Sequence, residues 1–141
     1  MRRHRPLTPR PRGFTLLECL AAVAVVGVLA AAAIPSQLAQ LQRSRRFDAV
    51  AALTKLQMAQ ETYRARHGSY AADLAPLGAG ERSPEGLYRL AVADAGADTV
   101  TLIARAGADG AQHGDSECLE ITLRLNQGLA DAGPSGRCWN R

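Results

Sequence analysis

An α+β fold, in which one long N-terminal helix lies over a small antiparallel sheet, is predicted by three features of this 141-residue chain. The first is an apolar run from Phe14 to Ile34. The second is a stripe of Ala49, Ala52, Leu53, Leu56, Ala59 and Tyr63, recurring at spacings of three and four. The third is a set of alternating segments after residue 86, of which 118–125 is the clearest. Helical periodicity followed by period-two segments without crossover helices calls for antiparallel neighbours, with one sheet face under the helix. A chain of this length supports one globular domain beyond the apolar run.

Phe14 to Ile34 is 21 residues whose one charge is Glu18. At ~1.5 Å per residue it just covers a hydrocarbon core of ~30 Å. Arg2, Arg3, Arg5, Arg10 and Arg12 crowd the thirteen residues before it, and positive flanks stay on the cytoplasmic side, which puts the remainder outside. A carboxylate inside a span costs at least ~2.5 kcal/mol and calls for a partner. Cutting the chain after Gly13 supplies one: the new α-amine of Phe14 stands at the depth of Glu18, so that Glu18 of one subunit can face the amine of the next. A plain secretory signal, cut near Ala30-Ala31-Ala32-Ala33, and a simple one-span anchor are the alternatives. Glu18, the length of the run and the helical pattern continuing past it count against the secretory signal.

The second helical stretch runs from Ser36 to about His67, with Gln57, Gln60, Glu61 and Arg64 on faces away from the stripe and Gly68 as its stop. Pro35 removes a backbone donor and predicts a kink between the two stretches. Residues 68–86 carry Pro76, Gly78, Gly80, Pro84 and Gly86 and read as a connecting loop, with room for one helical turn at Ala71–Leu74. Strands are expected at Leu87–Ala93, Thr99–Arg105 and Cys118–Leu125, with a weaker fourth near Arg137–Asn140. The division is then 1–13 as a removable leader, 14–35 as the apolar helix and 36–141 as the globular part (36–67 helix, 68–86 loop, 87–141 sheet).

The chain carries 17 Lys+Arg against 13 Asp+Glu. Without the five leader arginines the count is 12 against 13, so the basic pI describes the leader and implies no nucleic-acid partner. His4, His67 and His113 are widely separated and belong to no nucleophile, metal or phosphate motif; no catalytic residue and no cofactor are expected. Asp109, Asp115 and Glu117 share a Gly-containing loop, but their spacing lacks the pattern of a calcium site, and no metal is assigned. Arg43, Arg45 and Arg46 form the basic cluster of the mature part. Spread over more than one helix face and without interleaved aromatics, they read as solvated or intersubunit residues ahead of a nucleic-acid contact. Cys19, within the apolar run, reads as an inert small hydrophobe.

Gly13-Phe14-Thr15-Leu16-Leu17-Glu18, the apolar run and Pro35 together resemble the class III signal of type IV pilins and pseudopilins. Beyond it, Arg46-Phe47-Asp48-Ala49-Val50-Ala51-Ala52-Leu53, Gly68-Ser69-Tyr70, Asp115-Ser116-Glu117-Cys118 and the closing Cys138-Trp139 are similar to PilE-type minor pilins. The resemblance implies cleavage between Gly13 and Phe14 by a prepilin peptidase, N-methylation of Phe14, a register role for Glu18 and a bend at Pro35. It also implies a disulfide between Cys118 and Cys138, which an extracytoplasmic location permits. The implied function is that of a minor pilin, held as a single-pass inner-membrane precursor and built into an extracellular type IV pilus. Its partners would be other major and minor pilins, the peptidase/N-methyltransferase and the inner-membrane assembly platform. A pseudopilin of a type II secretion system is the alternative, and a DNA-uptake or adhesion module on the same scaffold is another.

Overall fold

The computed structural model describes residues 14–141, without the side chains of residues 33–36. Gly13 and the expected leader, and the side chain of Pro35 with its expected kink, therefore lie outside the described residues. Helix α1 spans Leu16–His67, and four strands follow: β1 Tyr88–Ala93, β2 Thr99–Ala106, β3 Glu120–Asn126 and β4 Leu129–Gly133. The chain divides into two units, Met1–Gln37 and Leu38–Arg141, and each is described by itself.

In the second unit the strands form one antiparallel sheet in the order β1-β2-β3-β4. The expected stripe becomes the core through its first half. Ala49, Ala52, Leu53 and Leu56 are buried with Tyr88, Leu90, Val100, Leu102, Ala104, Ile121, Leu123 and Leu125 from the inward sheet face. Ala59 and Tyr63 are only half-buried. Tyr63 stacks on His67, ring centroids 4.0 Å apart, instead of reaching the sheet. The helix stops at Gly68, whose φ of 76° suits a residue without a Cβ and whose N–H donates to the carbonyl of Arg64.

Two polar residues expected on solvated faces belong to the stripe. Gln60 is fully buried, because its amide acts as a spare peptide group: Nε2 donates to the carbonyl of Ala71 at 2.9 Å and Oε1 accepts from the N–H of Ala71 at 2.8 Å. Arg46, one helical turn before Ala49, is 4% exposed and bound bidentately by Asp115 at 2.6 and 2.7 Å. Its Nη1 also donates to the carbonyl of Arg137 at 3.0 Å, so one guanidinium joins the helix to both ends of the C-terminal region. Gln112 completes the cluster by donating to the Tyr88 hydroxyl at 2.9 Å.

Other expectations shift in detail. The loop forms no turn at Ala71–Leu74; its helical turn is a 3-10 segment at Ala75–Leu77, with Pro76 in its first turn, where a missing N–H costs least. The loop closes on α1 through Asp48, whose carboxylate accepts from Ser83 Oγ and the N–H of Glu85. Strand β3 begins at Glu120, because Ser116–Cys118 is a 3-10 turn. The fourth strand lies not at Arg137–Asn140, which is turn, but at Leu129–Gly133. It is reached through Gln127-Gly128, both at positive φ, the two-residue connection whose twist suits a hairpin. Its sequence Leu-Ala-Asp-Ala-Gly carries no alternation, so only the turn announces it. The disulfide between Cys118 and Cys138 is present, both cysteines buried beside Trp139.

Closing a loop of this size stabilises a domain by ~3 kcal/mol. Cys118→Ser with Cys138→Ser is expected to lower unfolding stability by about that amount, read in urea by the fluorescence of Trp139. Removing one partner of a buried ion pair costs about 3–5 kcal/mol, whereas apolar replacement of both is far milder. Arg46→Ala is therefore expected to destabilise strongly and Arg46→Met with Asp115→Leu much less; equal losses would contradict the pairing as the cause. Burial raises the Tyr88 and Tyr70 phenols above their ordinary value of 10.0. The folded state then holds these protons longer than the unfolded chain, so their contribution is complete below about pH 10 and is lost as pH rises beyond it. Tyr88→Phe with Tyr70→Phe is expected to flatten that alkaline decline in a urea titration at each pH.

Candidate functional site

Among the described residues of the first unit, the helix face has no inside. Phe14, Leu16, Leu17, Leu20, Val23, Val26 and Leu29 are all exposed, Phe14 at 82%. An 18-residue window reaches a mean hydropathy of 2.4 with none of it buried, so the segment is long and apolar enough to cross a membrane. A helix apolar on all sides has to find either lipid or other helices to cover it. Thr15 caps it, its Oγ1 accepting from the N–H of Glu18 at 3.3 Å. Thr15-Leu16-Leu17-Glu18 thus has the spacing of a capping box, a local signal that sequence reasoning missed. Glu18 stands in the first turn, where the positive end of the helix dipole favours an acid. Cys19 beside it is an exposed free thiol.

In the second unit the residues weighed for metal or nucleic acid are dispersed. Asp115 is engaged by Arg46, Glu117 accepts from Arg137 Nη1 at 2.6 Å, and Asp109 is exposed on its own turn. Among the described residues no group of three His, Cys, Asp or Glu side chains is placed to hold a metal ion. The cluster Arg43, Arg45 and Arg46 is divided as well. Arg46 is buried, correcting its reading as a solvated or intersubunit cation, and Arg45 donates to the carbonyl of Ala111 at 2.7 Å.

Register assembles a different basic group on the outward sheet face. Arg89 of β1 is the direct partner of Arg105 of β2, Arg105 is the partner of Glu120 of β3, and an isolated bridge sets Arg82 opposite Arg89. All four are exposed, in alternation with buried Leu90, Ala104 and Ile121. Arg124, four residues along β3 from Glu120, is opposite Thr101 on one side and Asp131 on the other. Sequence reasoning missed this row because Arg82, Arg89 and Arg105 are far apart along the chain and only strand pairing makes them neighbours.

Residues 35–122 match the model of a family described as "Type IV minor pilin ComP, DNA uptake sequence receptor", and residues 9–34 match the prokaryotic N-terminal methylation motif. The chain is similar to the type IV major pilin protein PilA of Myxococcus xanthus (strain DK1622), 37% identical over 86 residues, which is 60% of this chain and 39% of that protein. It is also similar to the type II secretion system core protein G of Pectobacterium carotovorum subsp. carotovorum, 33% identical over 61 residues, 43% of this chain and 39% of that protein. The chain thus spans about two-fifths of the length of the curated relatives it matches. An uncovered apolar helix opening on Phe14 and Glu18, a helix-covered four-stranded sheet and a disulfide-tied C-terminus fit the matched family, and the chain belongs to the type IV minor pilins.

Proposed function

We propose that this chain works as a structural subunit of a type IV pilus, made as a precursor, cleaved between Gly13 and Phe14 and methylated on Phe14. The observation that carries the reading is Glu18, the one charge in an apolar helix that exposes every face. Before assembly that helix is covered by the inner membrane, with the arginine-rich leader on the cytoplasmic side; afterwards it is covered by the helices of other pilins. Removal of the leader creates the Phe14 ammonium, and pairing of that cation with Glu18 of a neighbour sets axial register. Pro35 is the position at which the helix would bend to fit its neighbours. The chain's work is structural, and the chemistry belongs to the peptidase and methyltransferase that process it. A pseudopilin of a type II secretion system is the nearest rival, supported by the similarity to core protein G. The Cys118–Cys138 bridge favours the pilus reading.

A second reading is favoured by one observation: the matched model, covering 35–122, describes a DNA uptake sequence receptor. On that reading the subunit contacts duplex DNA at the pilus surface while keeping its structural role.

Leaving a buried charge unpaired costs about 3–5 kcal/mol. Glu18→Ala is expected to be cleaved normally, with mass spectrometry finding methylated Phe14 at the new terminus, while its recovery in sheared pili falls by more than about tenfold. Wild-type recovery of the variant in pili, or a mature terminus at any residue other than Phe14, overturns the proposal.

A further inference from the structure

We infer that the pocket between Arg43 and Arg141 takes the phosphodiester headgroup of an anionic membrane lipid, an inference that rests on the reading above of a precursor held in the membrane. Ala39, Gln42 and Arg43 share one face of α1, at spacings of three and four that continue to Arg46, and stand opposite Arg137, Asn140 and Arg141 across a space of about 280 Å³. Pockets for drug-sized ligands run from about 300 to 1,000 Å³, so this one suits a headgroup better than a larger molecule. Its far wall is held before any ligand arrives. Cys138 is tied to Cys118, the carbonyl of Arg137 accepts from Arg46 Nη1 at 3.0 Å, and Asn140 Nδ2 donates to the carbonyl of Arg43 at 3.1 Å. The N–H of Arg141 donates to the carbonyl of Gly136 at 2.9 Å and closes the turn. A ligand therefore meets a wall whose ordering cost folding has already met, which favours binding.

Charge in the pocket is unbalanced. Four arginines line it and no acid does. Two of these cations are answered from outside the lining, Arg46 by Asp115 and Arg137 by Glu117. Among the described residues the ion pairs include neither Arg43 nor Arg141. Both are exposed, and the Arg141 guanidinium lies 5.8 Å from the centroid of the Trp139 ring. Phosphate suits two such heads, because a planar guanidinium binds its oxygens in pairs and is itself weakly hydrated. Position in the chain selects a lipid as the source of that phosphate. Arg43 comes nine residues after Ile34, ~14 Å at the rise of a helix. Headgroups fill ~5–8 Å beyond the hydrocarbon core, and helical side chains lean toward the N-terminus, so the long stem of Arg43 carries its charge back to that layer. Basic residues beside a span draw anionic lipid by about fivefold each.

The test uses the full chain in vesicles of phosphatidylcholine with or without about 30 mol% phosphatidylglycerol, each with a trace of lipid carrying a nitroxide on its headgroup. Trp139, the one tryptophan of the chain, adjoins the pocket and reports the approach of headgroups by quenching. Phosphatidylglycerol is expected to increase quenching at least about twofold, and Arg43→Gln with Arg141→Gln to remove at least about four-fifths of the increase. Lys55→Gln with Arg89→Gln, an equal loss of charge away from the pocket, is the control and is expected to keep it. An increase that survives in the pocket variant, or that the control loses equally, overturns the pocket as the site while leaving the membrane reading standing. Loss of the increase on adding inorganic phosphate at constant ionic strength assigns the pocket to free phosphate and overturns the lipid. Loss on diluting the chain in lipid assigns it to acids of a second copy, with the same consequence. Failure of the parent chain to float with the vesicles overturns the membrane reading itself. An unchanged urea midpoint of each variant ties any loss to the pocket and not to unfolding.

Discussion

A buried guanidinium tolerates few surroundings, and the pairing of Arg46 with Asp115 governs how this globular unit is put together. Arg46 belongs to the same helical stripe as Ala49 and Leu53, so its head enters the interior at the end of the apolar core. Asp115 answers from the connection between β2 and β3, and the carbonyl of Arg137 answers from beyond the sheet. The carbonyl of Asp115 in turn accepts from the N–H of Cys118, which places the disulfide directly after the ion pair. Covalent and ionic ties therefore act on the same short region. The disulfide limits the freedom of the unfolded chain, while the ion pair penalises any packing in which the C-terminal region leaves the helix.

The first unit obeys a different constraint. From Arg46 onward one stripe of α1 is buried, but the described residues of the first unit have no stripe, because nearly every position is apolar and exposed. Such a helix is stable only in surroundings that the chain itself does not supply. Membrane lipid and the helices of a filament are both apolar and both satisfy it, so transfer between them changes little hydrophobic free energy. On the proposed reading the two settings differ in the company of Glu18, whose carboxylate would discriminate among axial positions that apolar packing alone leaves nearly equivalent.

Charge on the globular surface is redistributed by folding. The cluster Arg43, Arg45 and Arg46 of the helix loses one member to the interior and another to a loop carbonyl. Arginines from separate strands meanwhile become neighbours across β1 and β2. From Phe14 onward the side chains carry 12 Lys and Arg against 13 Asp and Glu, yet strand pairing on one sheet face sets Arg82, Arg89 and Arg105 beside one another. Net charge is a poor guide to a surface whose rows are set by register.

Local and periodic features are legible in the residues themselves. The apolar run, the Ala49–Leu56 stripe, the stop at Gly68 and three strands follow from side-chain volume, helical period and alternation, each decided within a few residues of chain. The pairing of the two cysteines is legible through resemblance to a known family. The burial of Gln60 and Arg46 is not, because their cost is met by Ala71 and Asp115, partners 11 and 69 positions away. Nor is β4, whose residues carry no alternation and which exists because Gln127-Gly128 folds it back on β3. Sequence by itself determined the helix, three of the four strands and the apolar run, since those depend on near neighbours. Tertiary structure alone decided which charges are buried, which are paired and which line up, because each of those rests on contacts between distant residues.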